Sequence, residues 1–224
     1  MMNTGIDFKA IQAVLFDLDG TLIHLNVDFA QMRADVEALL PRYRLSAEGK
    51  KSLYTLELID DCIQTLTHNG QEKSAAIFQR EAEAAIVAVE MEAANTAELH
   101  PGASELLEQL RHQGIKIGIV TRNCRAAIER ILEKYPLTYD ALLTRDDVEE
   151  VKPDPEHLLT ALQLLDVAPR HALMVGDHPM DVQAGRAVGA RTVAVLTGYS
   201  PTESFLPEQP DLILEQVWRL IAYL

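Results

Sequence analysis

The sequence predicts an α/β fold in which a doubly wound parallel sheet carries an inserted, all-helical domain. Two observations lead there. From Pro101 onward, short apolar runs alternate with segments of helical periodicity, as strands and crossover helices do in a parallel sheet. Between residues 28 and 96 the strand pattern disappears, although an apolar run, Val14-Leu15-Phe16, precedes that block. A helical block placed straight after the first strand reads as a separate cap. The boundaries expected are 1–23 with 98–224 for the sheet domain and 24–97 for the cap.

The elements can be taken in order. Val14-Leu15-Phe16 is read as a buried strand. Asp28 to Leu40 places Phe29, Met32, Val36, Leu39 and Leu40 at helical spacing, and Pro41 stops the helix. Ser46 to about Leu66 is read as a second helix, with Ser46 as N-cap and Leu53, Leu56, Ile59, Ile63 and Leu66 along one stripe. His68-Asn69-Gly70 breaks it. Gln71 to about Ala94 is rich in Ala and Glu, residues of strong helix propensity. Beyond Pro101, helices are expected near 103–112, 123–134, 154–165, 179–188 and 215–223. Strands are expected near 115–120, 140–143, 171–175, 191–196 and 211–214. Gly114 and Gly189 follow helices where C-cap glycines belong. The sheet domain is thus expected to be Rossmann-like.

The chemistry is concentrated where strands end. Asp17 and Asp19 leave the first strand on the same side, followed by Gly20, which permits a sharp turn. Two carboxylates at the end of a buried strand lose solvation and repel each other unless a cation, a proton or a ligand group relieves them. In open α/β sheets that edge is where ligands bind. Ile117-Gly118-Ile119-Val120 ends in Thr121-Arg122-Asn123, and Ala172-Leu173-Met174-Val175 ends in Gly176-Asp177 with Asp181 four residues on. Lys152 stands just before a helix start. Asp17-Leu18-Asp19-Gly20-Thr21 also resembles the start of a calcium loop, but its twelfth position is Asp28 and apolar residues fill the interval, so calcium is set aside. Singly, Thr121 could be an N-cap, Lys152 a solvated lysine, Asp177 an Asx turn and Asp181 a first-turn acid. Jointly, on one sheet edge, they form a site.

These four segments, in this order, resemble the motifs of the haloacid dehalogenase-like hydrolase superfamily, on its phosphatase side. The resemblance implies Asp17 as nucleophile, forming an aspartyl-phosphate, and Asp19 as general acid and then base. It implies Mg²⁺ held by Asp17 and Asp177, with the backbone carbonyl of Asp19 as a further ligand. Asp181 is expected to support the metal through water or to orient Lys152. Thr121, Lys152 and the backbone amides of Arg122 and Asn123, read as opening a helix, are expected to hold the phosphoryl oxygens. Arg122 could instead point to solvent. The chain departs from the phosphoglycolate phosphatase type at Ile23-His24-Leu25-Asn26 and at His178, and each histidine can be read as a substrate contact or as an ordinary side chain. The activity implied is Mg²⁺-dependent hydrolysis of a small phosphorylated metabolite. A sugar-phosphate mutase, a pyrophosphatase or nucleotidase, and a non-catalytic binding protein are the alternatives.

Composition sets the bounds. The 224 residues are 48% hydrophobic and carry a net charge of −14 with no basic cluster, which argues against nucleic acid and anionic membranes as partners. The apolar runs are too short to span a bilayer. Met1 to Ala10 shows no leader pattern, and Cys62 and Cys124 lack metal spacing, as expected of a cytoplasmic protein with reduced thiols. The sequence leaves monomer and homodimer equally open.

Overall fold

The computed structural model describes residues 6–224. The first five residues, part of the stretch read as lacking a leader, lie outside the described residues. The chain divides into two compact units. One holds the chain up to Leu25 together with Ala97–Leu224, and the other is Asn26–Thr96.

In chain order the elements are β1 (Ala13–Phe16), β2 (Ile23–His24), α1 (Phe29–Leu39), α2 (Thr55–His68), α3 (Glu72–Thr96), β3 (Glu98–Leu99), α4 (Ala103–His112), β4 (Lys116–Val120), α5 (Arg125–Lys134), β5 (Ala141–Leu143), α6 (Pro155–Leu165), β6 (Ala172–Gly176), α7 (Pro179–Val188), β7 (Arg191–Val195) and β8 (Leu212–Leu214). The larger unit is built on a six-stranded sheet in the order β5-β4-β1-β6-β7-β8, parallel throughout. The expected α/β class is therefore what the chain adopts. β1 is central and buried along its whole length, as a doubly covered parallel strand must be. From β1 the chain winds out through β4 and β5 on one side and through β6, β7 and β8 on the other. The switch point thus falls at β1.

Register and side-chain parity place the site. Phe16 is level with Ile119 and with Val175, so the residues following β1, β4 and β6 emerge together at one edge. Asp17 continues the ladder by donating its N–H to the Val175 carbonyl at 2.9 Å. Ala13 and Leu15 pack in the cluster that α6 covers with Leu158, Ala161, Leu162 and Leu165. Asp17 shares their parity, and so faces the side on which the loop before α6 carries Lys152.

The smaller unit is a helical hairpin with an additional helix. α1 and α2 both pack on α3. Met32 and Val36 are buried on α1, as are Leu58, Ile59, Cys62 and Leu66 on α2 and Phe78, Ala82 and Ile86 on α3. The T-shaped contact of Tyr43 with Phe78, 5.3 Å between centroids, joins the turn after α1 to α3.

Three expectations need correction, and one element was not foreseen. The second helix starts at Thr55, not Ser46, and Ser46 only accepts the Glu48 N–H at 3.1 Å in a local turn. Gly49, at φ +78°, breaks any helix begun at Ser46, and the Arg33 guanidinium donates to the carbonyls of Lys50 (3.0 Å) and Leu53 in the connection that follows. The helix expected over 123–134 begins at Arg125. The C-terminal segment is a 3₁₀ helix, Val217–Tyr223, whose buried residues Val217 and Leu220 lie three apart, the spacing that form aligns. Finally, β2 and β3 form a short antiparallel ribbon, too short at two residues each to leave a periodic signal.

Candidate active site

The site begins with an ion-paired triplet. Lys152 Nζ donates to Asp17 Oδ1 at 2.7 Å and to Asp181 Oδ1 at 2.6 Å. The ammonium is 2% exposed and the two carboxylates 12% and 3%. The loop that carries Lys152 is anchored on both sides. Asp154 caps α6 by accepting the Glu156 N–H at 2.8 Å, with Pro155 at the first helical position. Behind it, the buried ring of His157 accepts the Lys152 N–H through Nδ1 at 3.4 Å. Burial and the adjacent Lys152 ammonium pull the His157 pKa down to about 3, so the ring is neutral. A neutral ring beside a buried ammonium adds no second positive charge.

Asp177 completes an acidic cluster. One carboxylate oxygen from each of Asp17, Asp177 and Asp181 lies within 4.8 Å of the others. The Thr21 hydroxyl donates to Asp177 Oδ1 at 3.2 Å. Backbone makes room for this carboxylate. Gly20 turns at φ +74°, and a Cβ there would lie 2.4 Å from Asp177 Oδ2; a Cβ on Gly198 would lie 1.7 Å from the same atom. Asp181 uses its second oxygen to accept the His178 N–H at 3.1 Å, while His178 Nδ1 accepts the Met180 N–H at 3.2 Å. His178 is therefore the N-cap of α7, a third role beside the two expected of it.

Electrostatics follow from crowding. Burial raises the Asp17 pKa to about 6, and the attraction of Lys152 offsets that only in part. Burial, followed by repulsion from Asp17, Asp181 and Asp19, holds Asp177 well above the usual carboxylate range. Lys152 is pulled down by burial but raised overall by Asp17 and Asp181, and so stays charged. Three buried carboxylates against one ammonium leave a deficit of positive charge. The donor set is entirely oxygen and fits a hard divalent cation such as Mg²⁺.

The other candidates stand around this centre. Asp19 Oδ1 accepts the Leu25 N–H at 3.2 Å. Thr121 is buried at the end of β4, the strand beside β1, and its Oγ1 accepts the Asn123 N–H at 3.2 Å. The amides of Arg122 and Asn123 do not open α5. Its N-cap is Cys124, two residues later than the sequence suggests, because Thr121 and Asn123 close a turn of their own first. Arg122 Nη1 lies against Met180 Sδ, so the guanidinium is directed toward α7.

The segment Thr197-Gly198-Tyr199 belongs to the site and escaped the sequence reading. Thr197 Oγ1 donates to the Gly20 carbonyl, Gly198 backs Asp177, and the Tyr199 hydroxyl donates to the Leu25 carbonyl at 3.4 Å. Burial, with Asp19 and Asp177 nearby, raises the Tyr199 pKa. Its position after β7 at the same sheet edge was the available signal.

The family model described as Haloacid dehalogenase-like hydrolase matches residues 14–195, from β1 through β7 and across every residue of the triplet. The chain belongs to that family. Among curated relatives of this haloacid dehalogenase-like hydrolase is pyrophosphatase PpaX of Bacillus mycoides, 34% identical over 233 residues, covering 96% of this chain and 97% of the relative. Among solved structures, a hydrolase from Pseudomonas syringae aligns with TM-score 0.68 at 22% identity, covering 95% and 97% of the two chains. A β-phosphoglucomutase from Clostridium difficile aligns with TM-score 0.65 at 20% identity, covering 94% and 93%. At those identities the two structures speak for the fold alone. Among the described residues, no helix is long and apolar enough to cross a membrane.

Proposed function

We propose that this hydrolase is a Mg²⁺-dependent phosphatase that cleaves a small phosphorylated compound through an aspartyl-phosphate on Asp17. The observation that carries the reading is the Lys152 ammonium shared between Asp17 and Asp181, with Asp177 alongside. A structural ion pair would be balanced, whereas this one gathers carboxylates beyond what its single cation neutralises.

The residues divide the work as follows. An Asp17 oxygen attacks phosphorus, and the bond from phosphorus to the leaving oxygen breaks. Asp19 delivers a proton to that oxygen, then takes one from the water that attacks the same phosphorus. Inorganic phosphate leaves and the Asp17 carboxylate is restored. Lys152, anchored by Asp181 and His157, faces the negative charge of the phosphoryl group and keeps Asp17 aligned. Thr121, with Arg122 and Asn123, offers donors to the phosphoryl oxygens. A Mg²⁺ held by Asp17 and Asp177, with the Asp19 carbonyl, would supply the positive charge the cluster lacks.

The substrate is a compact phosphoryl compound. Inorganic pyrophosphate is the first to test, because relatives named pyrophosphatases share about a third of their residues over almost their whole length. Residues 24–97 would select the leaving group. We read the protein as cytoplasmic, in keeping with two buried cysteines outside any disulfide.

The experiment is a phosphate-release panel of pyrophosphate, phosphoglycolate, hexose phosphates and nucleoside monophosphates, with and without Mg²⁺, against Asp17→Asn as control. Magnesium-dependent release that the variant lacks supports the reading. Release that survives in Asp17→Asn overturns the covalent route. Interconversion of hexose phosphates without release would make the chain a mutase.

A further inference from the structure

The loop that follows β4 is held by a neighbour with no assigned part in the chemistry. β4 and β5 are adjacent and parallel, so the turn after β5 stands beside the loop after β4. The last ladder bond between them is Thr121 N–H to the Leu143 carbonyl at 2.9 Å. Beyond it the contacts change kind. The Arg145 guanidinium donates through Nη1 to the Arg122 carbonyl at 3.0 Å, and the Arg145 N–H donates to the Asn123 carbonyl at 3.3 Å. Asp146 Oδ2 accepts the N–H of Arg125, first residue of α5, at 2.8 Å. That carboxylate supplies the cap which the Cys124 side chain does not. The turn is itself fixed. Asp147 Oδ2 accepts the Thr144 N–H and hydroxyl, both at 2.7 Å, and also pairs with the Arg125 guanidinium at 2.5 Å.

The Arg145 side chain is only 10% exposed, with Nε 3.9 Å from Asp146 Oδ1. Its Nη1 is committed to the neutral carbonyl of Arg122 at 3.0 Å. Burying a guanidinium against a carbonyl is costly for general stability and effective for fixing that carbonyl in place.

We propose that Arg145, assisted by Asp146, is a positioning residue that sets where Thr121 and the rest of the loop stand relative to Asp17, and so sets affinity for the phosphoryl group. The inference rests on the phosphoryl-transfer reading above. Thr121 and its loop contact phosphoryl oxygens in the bound substrate and in the transition state alike, which is uniform binding and falls on KM. Asp17 and Asp177 come from β1 and β6, which this turn does not hold, and Lys152, further along the same β5–α6 connection, is fixed by its own pairs with Asp17 and Asp181. The rate constant kcat should therefore change little.

The test uses Arg145→Met, which keeps the stem and removes the donors, Arg145→Lys, which restores one, and Asp146→Ala. Steady-state hydrolysis is followed with the best substrate of the panel, and binding of inorganic phosphate is measured by calorimetry in Mg²⁺ buffer. In Arg145→Met, KM and the phosphate dissociation constant should both rise about three- to tenfold, the range carried by one lost hydrogen bond, with kcat within about twofold of wild type. Arg145→Lys should recover most of the loss, and Asp146→Ala should shift both constants in the same direction. A folded Arg145→Met with unchanged phosphate affinity overturns the inference, as does a fall in kcat with KM unchanged. Should Arg145→Met fail to fold, Asp146→Ala decides by the same two constants. A wild type that binds phosphate but hydrolyses nothing sinks the functional reading instead, while the effect of Arg145→Met on phosphate binding still decides this one.

Discussion

His157 makes the larger unit sensitive to acid. Its ring is fully buried and its pKa is pulled from the ordinary 6.5 down to about 3, by burial first and by the Lys152 ammonium second. Because the folded value is depressed, the unfolded chain binds the proton more readily. The stability that the neutral ring contributes is complete above pH 6.5 and is lost progressively as pH falls from 6.5 toward 3. At pH 7.5 almost nothing is lost. At pH 5.0 the unfolded histidine is about 97% protonated while the folded one is neutral, which costs about 2 kcal/mol. That figure is governed by the ordinary value, since pH 5.0 already lies well above the folded one. Urea denaturation of wild type and His157→Leu at pH 7.5 and pH 5.0 isolates the effect. The substitution leaves the Lys152 N–H without its acceptor at both pH values, so that cost cancels in the comparison. Wild type should lose about 2 kcal/mol more than the variant between the two pH values, or about 4–8 °C in Tm for a chain of this size. Equal losses in the two proteins would show that His157 is not held neutral, and the account of how Lys152 is seated would fall with it.

Three further outcomes are expected. Asp17→Asn should lower turnover by several orders of magnitude with the fold retained, as read from phosphate release and circular dichroism; activity within tenfold of wild type would exclude a covalent Asp17 intermediate. Lys152→Met should destabilise the protein by about 3–5 kcal/mol in chemical denaturation, because it leaves Asp17 and Asp181 buried without their cation; an unchanged midpoint would refute that seating. Wild type should gain thermal stability on titration with Mg²⁺, and Gly198→Ala should weaken that gain because its new Cβ would collide with Asp177; equal Mg²⁺ titrations would remove Asp177 from the metal site.

The parts of the fold that rest on periodicity were legible in the residues. Buried parallel strands are continuous apolar runs, so β1, β4 and β6 announce themselves, and the polar residues that end them mark the active edge. Asp17 and Asp177 could be named because each lies at such an end, Lys152 because it stands just before a helix, and Asp181 because it lies in the first turn of α7. An orienting role of Asp181 toward Lys152 was one of the two that the resemblance implied; that one ammonium bonds Asp17 and Asp181 at once has no local signature, since it joins residues 135 and 29 positions apart through the packing of α6 and α7. Boundaries set by long-range bonds were equally hidden. Arg33 ties down the connection before α2 through Lys50 and Leu53, and Asp146 caps α5 at Arg125; neither partner has a local signature. Thr197-Gly198-Tyr199 was missed for a different reason. Gly198 acts by having no side chain beside Asp177, and an absence of atoms has meaning only once the neighbour is in place.

The charge balance of the cluster bears on the proposed mechanism. With one ammonium among three buried carboxylates, burial first and mutual repulsion after it pull Asp17 and Asp177 upward. On the proposed mechanism, a divalent cation held there would offset that cost and favour the ionised form of Asp17, the form proposed to attack. A phosphoryl group would bring back negative charge as Asp17 spends its own in forming a bond. The site would then tolerate an anionic substrate despite a chain charge of −14, because its neutralising groups are buried and local, where attraction is screened far less than at the surface. On this view the buried seat of Lys152, made by Asp181 on one side and neutral His157 on the other, keeps the nucleophile and its counter-charge in one fixed geometry through both half-reactions.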